Sequence, residues 1–407
     1  MKKGLPWLYV FSLMLSLPMP LLAGGIDNKQ NWSAEYMRTL NRNASTDAAD
    51  VVVYNPAGSI KMENGFYGNV SVQAVSKDFS NTIGGTTYTS EVPSYIPGFF
   101  GLYKKDRWAG YFAFTIPGGG GKVKFDDGNA TTMAVAQGLL ALPVFNTIND
   151  QTLEAEGVYY GFTFGGAYAI NAIVSVSIGA RYIEAQKDVQ GAVTVSGIAP
   201  ARTFVTAFQQ NANGWAGIAG INITPIEALN IGIRYETRTP LDFETDVHQD
   251  DSGAAAALGF IQGSKTRRDL PATFGLGISY RFIPKLRAET TLTYYLQKNA
   301  DWNGAEQRVS NGYDLGLAFE YTIIPRLRAS LGYAYSNVGI QADDILPENP
   351  ELDAHTFAGG IVFQARPGLD LNFGVGQAAY AENKNTRGVT FDKNNIFLAF
   401  GMNYKFF

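Results

Sequence analysis

Cysteine is absent from the 407 residues, histidine occurs twice, and charged residues make up only 17% of the chain. The missing thiol excludes a disulfide scaffold, an iron–sulfur cluster, a lipoprotein anchor and a thiol nucleophile. Excess positive charge is missing too. The chain holds 32 Lys and Arg against 36 Asp and Glu, a formal net charge of -4, so there is no basic footprint and no nucleic-acid partner is expected. After Ala23 no apolar run reaches the roughly 20 residues that a membrane-spanning helix needs. What is present instead is glycine-rich and aromatic, with 45 Gly, 26 Phe and 22 Tyr. That is not the Leu, Ala, Glu and Lys bias of a helical chain.

The first residues carry an address. Lys2 and Lys3 precede an apolar run from Leu5 to Leu22, interrupted by Pro18 and Pro20 and followed by Ala23-Gly24-Gly25. This pattern predicts a secretory signal peptide over residues 1–23. The prolines and small residues fit cleavage better than a signal anchor.

Alternation with a period of two predicts the fold class. In LNIGIRYETR, Leu229, Ile231, Ile233 and Tyr235 share one face, and Asn230, Gly232, Arg234 and Glu236 the other. The same alternation returns in TFGLGISYR, LRAETTLTYY, YDLGLAFEY, LRASLGYAY, LDLNFGVG and the terminal IFLAFGMNYKF. These segments run about ten residues and begin or end in aromatic side chains, as expected where lipid rather than a second sheet covers the apolar face. Short connections at Pro225, Pro284, Pro325 and Pro367 alternate with long ones, the longest expected over residues 118–152 and 192–212. Short turns on one side and long loops on the other predict a Gram-negative outer-membrane location, with turns periplasmic and loops extracellular. The expectation is an all-β transmembrane, antiparallel barrel of about fourteen strands over residues 63–407, from 65–76 to 394–407, closed by the aromatic end of Phe406 and Phe407.

Residues 24–62 lack lipid-facing alternation and are expected to form a small N-terminal hatch on the periplasmic side. Within them, DVVVYNPAGSI reads as a strand of three valines and a tyrosine stopped by Asn55-Pro56. Asp47-Ala48-Ala49-Asp50, followed by Asn55-Pro56-Ala57-Gly58, resembles the FadL family of long-chain fatty acid and aromatic-hydrocarbon transporters. So do GWAGIAGINITPIEALNIGIRYETRTPLDF, Leu270-Pro271 opening a strand, and the Tyr-Lys-Phe-Phe end. The resemblance implies a fourteen-stranded barrel plugged by a hatch. It also implies that Asn55, Pro56 and Ala57 face an interruption in the third strand through which ligand leaves sideways.

The residues themselves support such an interruption. RWAGYFAFTIP runs into Gly118-Gly119-Gly120-Gly121, which removes side-chain packing and strand preference together. The plainer reading is the start of a flexible loop; the sharper one is a break in the wall, with the stretch DVVVYNPAGSI, which includes Gly58, and these glycines on two sides of one exit. Apolar residues inside the long loops, Leu139, Leu140, Phe145, Phe204, Phe208 and Phe260, form either a lid or a docking groove. A greasy groove extracts alkyl chains from micelles or lipopolysaccharide, at about 0.8 kcal/mol per buried CH₂.

By parity, Arg181, Arg234, Glu236, Arg287, Glu289, Asp314, Glu320 and Arg328 point into the lumen, where they pair across strands or hold the hatch. Arg38, Arg42, Arg181 and Arg234 are the candidates to meet a substrate carboxylate. His248 lies in an acidic stretch and His355 on a lipid-facing parity, so neither suits a general base, and no enzyme is expected. The sequence predicts a monomeric channel without cofactor for passive uptake of a hydrophobic small molecule, long-chain fatty acid first and monoaromatic hydrocarbon second. A polar-solute porin or adhesin is the remaining alternative.

Overall fold

The computed structural model describes residues 30–407. The expected signal peptide and the first residues of the hatch lie outside this range. Every strand pairing is antiparallel, and the eighteen hydrogen-bonded segments form one sheet that closes on itself. Four of the segments are short pieces or continuations of kinked neighbours, so the wall has fourteen spans. They are β1 (Gly65–Ile83), β2 (Thr86–Ser90 continued in Ser94–Lys105), β3 (Trp108–Phe125), β4 (Thr147–Ala169), β5 (Val174–Ser196) and β6 (Arg202–Ile226). Next come β7 (Leu229–Glu236 continued in Asp242–Asp250), β8 (Lys265–Arg267 continued in Ala272–Ile283), β9 (Leu286–Leu296) and β10 (Gly312–Ile324). The last are β11 (Leu327–Asn337), β12 (Ala354–Arg366), β13 (Leu369–Tyr380) and β14 (Thr390–Lys405). Tyr67 to Thr82 of β1 pair with Lys405 to Thr390 of β14, which closes the barrel and removes both sheet edges. Among the described residues no helix is long and apolar enough to cross a membrane.

The alternation read from the sequence holds in the lower wall. Tyr235, Ile278, Phe319, Phe363, Phe373, Leu398 and Phe400 are exposed outward, whereas Arg234, Ser279, Glu320, Asn372 and Ala399 are buried inside. Pro284, Pro325 and Pro367 sit in the two-residue turns, each after a register shift that ends the ladder.

The upper wall departs from expectation. Much of 118–152 and 192–212 is not loop: β3 to β6 rise far above the apolar band, and only α1 of the lid segment (Ala130–Leu140) is helical there. In this extension the alternation inverts. Val123, Phe125, Leu153, Val193 and Phe204 point inward, while outward positions carry Glu184, Gln186, Asp188 and Gln190. A lipid-facing pattern fails above the membrane because water, not acyl chain, meets the outer face.

Residues 30–62 fill the lower lumen. Helix α2 spans Ala34–Arg38; α3 spans Val51–Tyr54 and a 3₁₀ turn spans Pro56–Lys61. The expected strand at Val51–Tyr54 is therefore a single helical turn. Inside a plug no neighbouring strand offers a ladder, and burial of all three valines overrides their β preference. They pack with Trp32 and Tyr54 against Leu102, Ala109 and Ala113 of the wall. Glycines let the hatch seat closely: a Cβ at Gly232 would lie 2.1 Å from the Asn43 carbonyl oxygen, and one at Gly277 2.4 Å from the Ala44 nitrogen.

Candidate functional site

Charge fastens the hatch. Arg42 is fully buried and reaches Asp47 at 2.7 Å and Asp50 at 2.9 Å. Arg38 binds Asp47 at 2.7 Å and also Glu320 on β10, which Arg328 meets at 3.1 Å. Burial opposes the charge on Asp47, but the Arg42 and Arg38 guanidiniums hold its carboxyl well below the usual carboxylate range. On the other flank Arg181 pairs with Glu236 at 2.9 Å and lies 4.6 Å from the Trp32 ring centroid. Arg234 donates to the Val53 carbonyl and to Glu236. Buried charges of this kind stand only when paired.

Above the hatch two neighbouring strands part. The β2–β3 ladder runs from Lys105↔Trp108 to Phe99↔Phe114 and stops. Higher up, β2 stays paired with β1 to Ser94 and again from Ser90 to Thr86, and β3 stays paired with β4 as far as Phe125, but β2 and β3 do not pair with each other. The Lys124 N–H donates to Ser90 Oγ at 2.8 Å, which bounds the separation from above. Across it β3 slips register against β4 twice, between Thr115 and Gly118 and between Gly118 and Gly121. Gly119 and Gly121 take φ of +88° and +67°, where a Cβ is strained.

Two cavities flank this bent strand. The lower, of about 630 Å³, lies between the hatch residues Tyr36, Met37 and Leu40 and the wall residues Phe79, Tyr295 and Phe397. It also touches Tyr95, 70% exposed, and Tyr160, 38% exposed, beside the separated strands. The upper, of about 180 Å³, lies beneath α1 and is lined by Val135, Leu153, Val193, Phe204, Phe208 and Phe260. Gly120, Gly121, Glu156, Gly157 and Asn349 line both, making a neck between them. The Asn129 side chain caps α1 and donates to Glu348 at 3.3 Å, tying the lid to the opposite loop beside that neck.

Solved structures with this architecture are known. A FadL homologue from Pseudomonas aeruginosa superposes with a TM-score of 0.69 at 14% identity, covering 94% of this chain and 100% of that one. The toluene transporter TodX from Pseudomonas putida gives 0.68 at 12% identity, covering 91% and 98%. The toluene transporter TbuX from Ralstonia pickettii gives 0.62 at 14%, covering 90% and 98%. This chain has the FadL-type fold. No family model matches the sequence, and no curated protein matches it either.

Within the FadL-type fold, the expected site residues separate into three groups. Asn55-Pro56-Ala57-Gly58 do not face the glycine tract. Asn55 Nδ2 donates to Asn222 Oδ1 at 2.8 Å, and the Ala57 carbonyl accepts from Ser175 Oγ at 2.7 Å, at the foot of β5 and β6 near the short turns. A Cβ on Gly58 would strike the Asn55 side chain at 2.3 Å, so the motif is a folded knot that seats the hatch. The residues that line the lower cavity from the hatch are Gln30, Asn31, Tyr36, Met37 and Leu40. Gly118 to Gly121 lie in the part of β3 that is unpaired with β2, where the strand bends without ending.

Of the apolar loop residues, Phe204, Phe208 and Phe260 line the upper cavity, with Phe208 and Phe260 stacked at 4.3 Å. Leu139, Leu140 and Phe145 pack instead into the core that carries the lid. Arg38, Arg42, Arg181 and Arg234 are buried in hatch pairs and line neither cavity. The cations that do are Lys77, Lys122 and Lys393 below and Lys187 above. Sequence reasoning missed them because it sought the carboxylate partner among arginines. The inward parity of Lys77 between Val75 and Phe79 was the available signal. His355 stands on the outer face, 2.7 Å from the Tyr333 hydroxyl, and His248 is exposed.

Proposed function

We propose that this protein is a monomeric outer-membrane channel for passive uptake of hydrophobic molecules, held among membrane lipid and lipopolysaccharide and made as a precursor with a cleaved signal peptide. The observation that carries this reading is the path itself: an apolar chamber under the lid, a glycine neck, and a larger chamber beside the separated strands β2 and β3. A hydrophobic molecule gains about 0.8 kcal/mol per CH₂ on entering the upper chamber and regains an apolar surrounding when it leaves sideways into lipid. It need never cross the charged hatch below. A polar-solute porin has less support, because the hatch occupies the lumen such a pore would need.

Long-chain fatty acid is the first choice of substrate. Two chambers in series suit an extended chain, and lysines stand among the aromatic walls of the lower one. Monoaromatic hydrocarbon, the cargo named for TodX and TbuX, is the alternative. The neck decides the test. Gly119→Val would drive a Cβ to within 2.2 Å of the Gly157 carbonyl oxygen and damage the wall, whereas Gly120 faces only the Asn349 side chain, at 3.1 Å. Gly120→Leu therefore narrows the passage while sparing the ladder. Cells with equal amounts of assembled protein are expected to lose uptake of labelled oleate, and of toluene if it shares the route. Undiminished uptake of both by Gly120→Leu would remove this path.

A further inference from the structure

β1 carries a lysine where its inward neighbours are Val75 and Phe79. Lys77 is only 4% exposed and lines the lower cavity. Its ammonium stands 5.5 Å from the Phe79 ring centroid and donates to the carbonyl oxygens of Gly120, at 3.2 Å, and Lys122, at 2.5 Å. Those carbonyls belong to the bent part of β3, above the point where its ladder to β2 has ended. β1 and β3 are not neighbours in the sheet, since β2 lies between them. Lys77 therefore reaches across the inner face behind β2 and supplies donors that β2, with no N–H at Pro93 or Pro97, cannot fully supply. Ser94, the uppermost residue of the lower part of β2, stands at the same place: a Cβ on Gly121 would lie 2.4 Å from its Oγ and 3.4 Å from Lys77 Nζ. Among the described residues that buried Oγ has no hydrogen-bond partner, as expected of a strand edge whose neighbour has been drawn away.

We propose that Lys77 is the positioning residue of the wall opening: its ammonium holds the bent backbone of β3 inward and so keeps β2 and β3 apart above Phe99 and Phe114. This rests on the sideways exit proposed above and specifies what holds that exit open. Charged donors bind carbonyls more strongly than neutral amides do, so one lysine can hold two acceptors against the pull of a ladder. Without the ammonium, the carbonyls of Gly120 and Lys122 would lose their charged donor in a largely apolar chamber. That is unfavourable enough for β3 to turn them toward β2 and pair.

Lys77→Met keeps the length of the side chain and removes its donors; Lys77→Arg keeps both charge and donors. Each is compared with the unaltered full chain and with Gly120→Leu, at equal levels of heat-modifiable protein. Oleate uptake by cells and amide hydrogen exchange over residues 115–125 of the purified protein are the two readouts. Lys77→Met is expected to lower oleate uptake by about tenfold or more, the scale of losing one charged hydrogen bond, and to slow exchange over the segment as the ladder to β2 forms. Lys77→Arg is expected to restore both. Normal uptake by Lys77→Met overturns the proposal, and so does lost uptake with unchanged exchange, which would make Lys77 a ligand contact only. If Lys77→Met does not assemble, Lys77→Leu, which also lacks donors, is read in its place with the same outcomes. Normal uptake by Lys77→Met beside blocked uptake by Gly120→Leu defeats the role of Lys77 alone; normal uptake by both defeats the route as well.

Discussion

Glu35 shows how much a single buried side chain carries in this molecule. It lies in α2 of the hatch, where its carboxylate accepts from Asn69 of β1 at 2.6 Å and Asn372 of β13 at 2.9 Å. Burial first, and then the charge of Asp50, push its carboxyl from 4.5 up to about 7. A carboxyl raised in the docked hatch favours docking in its protonated form. The hold is therefore full below about pH 4.5 and weakens as pH rises to about 7. Hydrogen exchange over residues 34–38, corrected for its intrinsic pH dependence, is expected to speed up across that window, and Glu35→Gln to flatten the rise. A flat profile in the unaltered protein would count against Glu35 as the titrating anchor. Nothing local in NWSAEYMRTL reveals this, because the partners lie 34 and 337 positions away.

Among the strands, the last was the most legible and the third the least. β14 alternates cleanly, and its end meets β1, where Phe66 packs 5.1 Å from Phe406 and 6.3 Å from Phe407. These contacts staple the two strands that close the barrel, and aromatic pairs add about 0.5–1.5 kcal/mol each beyond their burial. Deleting Phe406 and Phe407 is expected to reduce the folded, heat-modifiable band on a gel; a truncated chain that assembles at the normal level would deny them this role. In β3 the four glycines announced a disturbance, but not its form. A run of glycine does not say which neighbour is lost, because that depends on two strands continuing to pair on their far sides only. The helical turn at Val51–Tyr54 fails as a strand for a similar reason: β preference needs an open edge, and the hatch offers none.

At the scale of the whole molecule, a barrel wall that could stand as an open pore is stopped by a plug held with charge. Removing one partner from a buried network leaves the others uncompensated, at a cost of about 3–5 kcal/mol. Arg42→Ala leaves Asp50 without its cation and Asp47 to Arg38 and Arg328 alone, and is expected to loosen the hatch while the wall still assembles. Uptake of a small polar solute should then rise above that of the unaltered protein. Unchanged polar permeability with a normally folded barrel would mean that packing of Trp32, Tyr54 and the valines holds the plug without the charges.

The sequence by itself determined the barrel, its parity and its two unequal ends, since a strand between lipid and lumen must alternate at every position and that demand is written residue by residue. It also determined that residues 30–62 stand apart from the wall, for they lack that alternation. Only the tertiary structure decided where the Asn55-Pro56 motif sits, which arginines are consumed in holding the hatch, and that Lys77 rather than any of those arginines lines the lower cavity. Each of these depends on contacts between segments far apart in the chain, where one register shift or one missing ladder changes which groups meet.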